Sequence, residues 1–105
     1  MKKYTVSVTK EARGKLRKYL KYLKDVKKNS QAAKSVMQDF RETRKELELV
    51  AGSLKEPDNT KLRQADVKRI NFKRHSYFLL YKIEDSKAII VTMVHSLEDP
   101  DTYLS

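Results

Sequence analysis

The side chains with chemistry to offer cluster around residue 70 and recur towards residue 103. Lys68, Arg69, Lys73, Arg74 and His75 bracket one short alternating stretch and the turn after it, and Tyr77, Tyr81, His95 and Tyr103 follow on or after the next stretches. On an extended backbone successive side chains point to opposite faces, so Arg69 and Asn71 share one face and Ile70 and Phe72 the other. A sheet face carrying guanidinium, ammonium, imidazole and phenol groups can grip a phosphodiester and stack bases. It also has the groups for metal-free RNA cleavage, with cations to stabilise a charged phosphorane and histidine to move protons. Arg69 and His95 are therefore candidate catalytic residues. Lys68, Lys73, Arg74, His75 and Tyr81 are candidate nucleic-acid contacts.

Other chemistries find little support. There is no glycine-rich phosphate loop and no nucleophile elbow, and the chain contains no cysteine, which removes thiolate metal sites, disulfides and cysteine nucleophiles together. His75 and His95 are the only histidines, and no carboxylate stands at metal-ligand spacing from them, so no metal site is expected. Paired carboxylates for acid–base work would have to come from Glu98, Asp99 and Asp101, in a stretch that reads as an exposed tail. Neither a cofactor nor a small-molecule substrate is expected.

Charge points to macromolecular partners instead. The net charge is +10 over 105 residues, and residues 1–55 hold 16 Lys/Arg against 6 Asp/Glu while the remainder holds 8 of each. The surplus, densest between Lys10 and Lys28, would attract nucleic acid or an acidic protein. No apolar run approaches the roughly 20 residues a membrane span needs, and Met1-Lys2-Lys3 leads into no signal-like segment, so a cytoplasmic protein without membrane contact is expected.

The length suits one domain over residues 1–105, and the elements that must position these groups can be read in order. Residues 4–8 alternate as a half-buried strand, and Thr9 can cap a helix over 10–28 with Ala12, Leu16, Tyr19, Leu20 and Leu23 on one side. Asn29-Ser30 breaks the pattern and caps a second helix over 31–54, in which Ala33, Val36, Phe40, Thr43, Leu47, Val50 and Leu54 keep a three–four spacing. So short a break implies an antiparallel hairpin. After a turn at 56–59, three strands are expected at 67–72, 77–84 and 88–95, the last two joined by a tight turn at Asp85-Ser86. Strands 77–84 and 88–95 are apolar on both faces, so something besides the hairpin, or a partner, must cover the second face. The order β-α-α-β-β-β gives an α+β fold, with a basic helical hairpin packed on a mainly antiparallel four-stranded sheet.

The short first strand, the basic hairpin with Gln31-Ala32-Ala33 opening its second helix, the run Leu54–Pro57, and above all Arg69-Ile70-Asn71-Phe72-Lys73 followed by Tyr77–Ile83, Ile89–Val94, His95 and Asp99, resemble the RelE/ParE superfamily of toxins from type II toxin–antitoxin systems. The likeness runs over nearly the whole chain. It implies growth arrest relieved by a cognate antitoxin. RelE-like members cleave mRNA in the ribosomal A site with basic residues and often a tyrosine, whereas ParE-like members poison DNA gyrase and lack that set. By resemblance, Arg69 falls where RelE-like proteins carry a catalytic lysine, and Tyr103 matches the catalytic tyrosine with one residue of shift. Asn71 and Phe78 replace a second lysine and a transition-state arginine, and Leu97-Glu98 lacks a later arginine. Three readings follow: a ribosome-dependent, metal-independent endoribonuclease using Arg69, His95 and Tyr103, a non-enzymatic gyrase inhibitor, and an inactive interaction module. The surviving basic, histidine and tyrosine groups put the nuclease first.

Overall fold

The computed structural model describes residues 3–98. Strand β1 (Thr5–Val8) leads into helix α1 (Lys10–Lys21), which runs on through a wider π-type turn over Tyr22–Val26. Helix α2 (Ser30–Val50) returns antiparallel to it, then come a short helix α3 (Thr60–Gln64) and strands β2 (Lys68–Asn71), β3 (Tyr77–Glu84) and β4 (Lys87–His95). The sheet order is β1-β4-β3-β2. β1 pairs parallel with β4, and both other pairings are antiparallel. The α+β arrangement expected from the pattern of apolar residues is the one observed.

Both long helices begin where the sequence offers a cap. Asn29 Oδ1 accepts the Ala32 N–H at 2.9 Å, and Thr9 Oγ1 accepts that of Ala12 at 3.2 Å. Thr9 does more than cap. Opposite Leu80 and Tyr81 the ladder slips, leaving Val91 of β4 without a cross-strand partner. The Thr9 hydroxyl donates to the Val91 carbonyl at 3.0 Å, and the Thr9 N–H donates to that of Ile90 at 3.1 Å. The start of α1 is thus stitched to the bulge in β4, which sets the line along which α1 crosses the sheet. At its far end Lys28 adopts a left-handed φ of 53°, and the Asn29 N–H reaches back to the Leu23 carbonyl at 2.9 Å, closing the helix in Schellman fashion.

The two faces of the sheet bury different sets. Against the hairpin lie Ile70, Phe72, Leu79, Tyr81, Ala88, Ile90 and Met93, meeting Ala12 and Leu16 of α1 and Val36, Phe40 and Leu47 of α2. On the reverse face Phe78, Leu80 and Val94 pack with Leu62 of α3 and with Val67. Helix α3 was not anticipated: its five residues carry one apolar anchor, too short a stretch for periodicity to register. Asn59 caps it, accepting the Leu62 N–H at 3.0 Å. It answers the question left by strands apolar on both sides, since part of the second face is covered from within the chain. No helix among the described residues is long and apolar enough to cross a membrane.

Candidate functional site

A recess lies where α1 passes the end of the sheet. It is a cleft of about 480 Å³ lined by Lys15, Lys18 and Tyr19 of α1, Tyr22, Leu23 and Lys27 of the turn beyond, Tyr77 at the start of β3, His95 at the end of β4, and Glu98. The register explains the meeting, because Tyr77 and His95 are cross-strand partners. Their rings meet edge to face with centroids 5.0 Å apart, and Tyr19 closes on Tyr77 at the same distance. Phe72 and Phe40 continue the aromatic contacts inward, at 5.8 Å and 6.3 Å.

Hydrogen bonds hold the segment after β4 against α1. The Tyr19 hydroxyl donates to Glu98 Oε1, and the His95 N–H reaches both the Tyr19 oxygen and Glu98 Oε1 at 3.3 Å. Lys15 Nζ stands 3.7 Å from Glu98 Oε2. The Leu97 N–H donates to His95 Nδ1 at 3.1 Å, so in the neutral ring the proton sits on Nε2. Burial, then the Glu98 carboxylate, push the Tyr19 phenol far above its ordinary range, and burial followed by Glu98 raises Tyr77 as well. Glu98 is lowered, chiefly by the Tyr19 hydroxyl. The two phenols therefore remain protonated at neutral pH, and Tyr19 serves as a donor, not as a base. What results is an aromatic floor ringed by lysines, with its one carboxylate already engaged.

The residues anticipated as nucleic-acid contacts are engaged within the chain. Asp39 of α2, fully enclosed, accepts the backbone N–H groups of Lys73 at 3.1 Å, Arg74 at 2.9 Å and His75 at 3.1 Å, and its Oδ2 also meets His75 Nδ1 at 2.9 Å. Lys73 pairs with Glu46 at 3.2 Å and Arg74 with Glu42, its Nη1 at 2.7 Å. Lys68 donates to the Leu54 carbonyl at 2.9 Å and stands 3.8 Å from Glu56. Tyr81 is wholly buried, donates its hydroxyl to the Ala51 carbonyl at 2.8 Å, and is driven upward in pKa by that burial. These five residues hold the β2–β3 turn, the loop after α2 and the core in place. A buried phenol already spent on a carbonyl cannot stack a base.

Arg69 and His95 do not meet either. Arg69 lies on the α3 side, its guanidinium carbon 3.7 Å from the centre of the Phe78 ring and its Nε donating to Asn71 Oδ1 at 2.8 Å. His95 belongs to the hairpin side through Tyr77 and Tyr19. The sheet stands between them. Tyr103, Asp99 and Asp101 fall outside the described residues. Among those described, no group of three His, Cys, Asp or Glu side chains could hold a metal ion.

Comparison with known proteins decides the family. Residues 6–100 match the family described as the ParE toxin of type II toxin–antitoxin system, parDE. The chain belongs to the ParE toxin family. Among solved structures, a chain of the chromosomal ParDE system of P. aeruginosa superposes with a TM-score of 0.69 at 16% identity, covering 88% of this chain and 95% of that one. A chain of the RelBE2 toxin–antitoxin complex of Mycobacterium tuberculosis gives 0.56 at 23% identity, covering 89% and 98%. No curated protein matches in sequence at a significant level. At such identities the two structures testify to a shared fold, and membership in the ParE family rests on the match over residues 6–100.

Two groups that shape this ParE-family chain escaped the sequence reading. Asp39 sits inside the apolar three–four stripe of α2, between Val36 and Phe40, where an acid is costly unless satisfied. That misfit was a visible signal of a buried acceptor. Lys15, Tyr19 and Glu98 gave none, because their meeting depends on the angle at which Thr9 lays α1 across β4.

Proposed function

We propose that this chain is the growth-arresting toxin of a type II pair and acts by binding a protein target, which the ParE resemblance implies to be DNA gyrase, without cutting RNA. The observation that carries this reading is the separation of the groups a metal-free nuclease would need. Arg69 and His95 occupy opposite faces of the sheet, and Lys73, Arg74 and His75 are tied to carboxylates of α2. No arginine lines the cleft that holds His95, so a phosphorane there would lack a bidentate cation. The cleft suits a protein contact better. Aromatic rings form its floor, lysines its rim, and Tyr22 and Leu97 stand 48% and 90% exposed beside it.

A cognate antitoxin completes the proposal. Both solved relatives come from toxin–antitoxin systems, and a chain of net charge +10 favours an acidic neutraliser. The test is expression in a bacterial host with and without the protein encoded beside this one. Arrest with DNA breaks and an SOS response, intact mRNA and relief by the neighbour is the expected outcome. Cut mRNA on programmed ribosomes, abolished by His95→Gln in a folded variant, would refute the non-enzymatic reading.

A further inference from the structure

Strand β2 forms one edge of the sheet, since it is bonded to β3 alone. Its ladder pattern says which backbone groups that edge presents. The Phe72 N–H donates to the Tyr77 carbonyl at 3.0 Å, which makes 72 and 77 a hydrogen-bonded pair. In an antiparallel ladder such pairs alternate, so Ile70 with Leu79 and Lys68 with Tyr81 are bonded pairs, and Arg69 and Asn71 are not. The N–H and C=O groups of Arg69 and Asn71 therefore point outward, along the open edge. Among the described residues no backbone hydrogen bond takes them up.

The side chains at the same two positions are arranged for an anion. The Arg69 guanidinium lies over the Phe78 ring and donates through Nε to Asn71, which leaves its Nη groups with no acceptor among the described residues. Across the groove Glu56 faces Lys68 at 3.8 Å and Asp58 faces Lys55 at 4.0 Å. The groove between the 55–59 loop and Arg69 encloses about 400 Å³, enough for one acidic side chain to enter. A guanidinium so fixed loses little freedom on binding, and its fork matches a carboxylate.

We propose that β2 is a docking edge for an extended acidic segment of the antitoxin, which adds as a further strand and places a carboxylate on Arg69. The inference rests on the antitoxin reading above. An antiparallel addition makes hydrogen-bonded pairs at Arg69 and Asn71, and the residue opposite Arg69 then shares its face of the sheet. An aspartate or glutamate there meets the free Nη groups, while backbone bonds give affinity that does not depend on sequence. Charge favours the same occupant, because the whole chain repels a basic strand.

The experiment uses the full chain co-purified with the neighbouring protein. Amide hydrogen exchange is read residue by residue, free and in complex, and affinity is measured for Arg69→Gln and Arg69→Lys. Exchange at Arg69 and Asn71 should slow on the order of tenfold or more in the complex. Arg69→Gln should bind roughly 10- to 100-fold more weakly, with Arg69→Lys restoring only part of the loss. A complex in which these two amides exchange as fast as in the free chain overturns the docking edge and leaves the antitoxin reading standing. So does equal affinity of folded Arg69→Gln. Failure to form any complex overturns the antitoxin reading itself. The exchange measurement needs no variant, so a loss of folding in Arg69→Gln does not remove the test.

Discussion

Removing the Asp39 carboxylate should destabilise this chain more than any other single polar substitution named here. Its two oxygens accept three backbone N–H groups and one imidazole nitrogen, at 2.9 to 3.1 Å, from a position with no exposed surface. Asp39→Ala leaves those donors facing a void, and an unmet buried donor costs about 1–3 kcal/mol. Water can reach the turn, where Lys73 and Arg74 are exposed, so the sum is discounted to about 3–5 kcal/mol. Asp39→Asn keeps the shape but offers one acceptor where two are used, for a loss of about 2–3 kcal/mol. His75→Ala removes one charge-assisted bond near the surface, about 1–2 kcal/mol. Against a typical total of about 5–15 kcal/mol these are large, and Asp39→Ala should fold poorly at 37 °C.

The same site carries a pH signature. Burial alone would raise the Asp39 carboxyl, but the His75 ring and the backbone N–H groups of Arg74 and Lys73 outweigh it and hold it below its ordinary value near 3.8. The folded state thus binds this proton less readily than the unfolded chain. The contribution is fully present above the unfolded value and is lost as pH falls through the folded one. Urea unfolding followed by circular dichroism should show wild type losing stability below about pH 4, with Asp39→Asn flatter over that range and the gap closing. A loss under about 1 kcal/mol for Asp39→Ala, or a gap that does not change with pH, would refute the reasoning.

Two further substitutions separate scaffold from site. Thr9→Ala removes the cap of α1 and the bond to the Val91 carbonyl, and should reduce urea-measured stability by about 1–2 kcal/mol while shifting NMR signals of Tyr19 and His95 as the helix loosens on β4. Tyr81→Phe should lose about 1–2 kcal/mol, because the Ala51 carbonyl is left unmet, yet arrest growth as wild type does once expression is matched. Loss of arrest with full stability would show that the Tyr81 hydroxyl has a role beyond the core.

The fold was legible because its elements are long and periodic. Two capped stripes at helical spacing and three apolar strands leave few packings, and the observed boundaries differ from the expected ones by a few residues, as where α2 stops at Val50 and not at 54. The site was far less legible. Side chains close in sequence, such as Arg69 and Lys73 to His75, read as one cluster because they carry one kind of charge. Whether such cations are free depends on what faces them, and the Glu42, Glu46 and Asp39 that face them lie some thirty residues earlier on another element. Complementary charge on two elements was present in the sequence, but nothing local says that the two elements meet there.

Placement also bears on whether nuclease chemistry could be regained by substitution. The resemblance assigns RelE-type cations to positions 69, 71 and 78, and a later arginine to Leu97-Glu98. In this fold Phe78 is buried on the α3 side beneath Arg69, and Asn71 shares that face. Asn71→Lys and Phe78→Arg would therefore gather cations on the face away from His95 and its cleft. A nuclease built around Arg69 must do without His95, and one built around His95 has lysines at its rim and no guanidinium. In either case one half of the phosphoryl chemistry, charge stabilisation or proton transfer, is missing among the described residues from the face that holds the other. The lysines of the cleft and the fork at Arg69 keep their charge for another use. Ion-pairing to an acidic protein surface needs no convergence on a single phosphate, and the two faces can serve it separately.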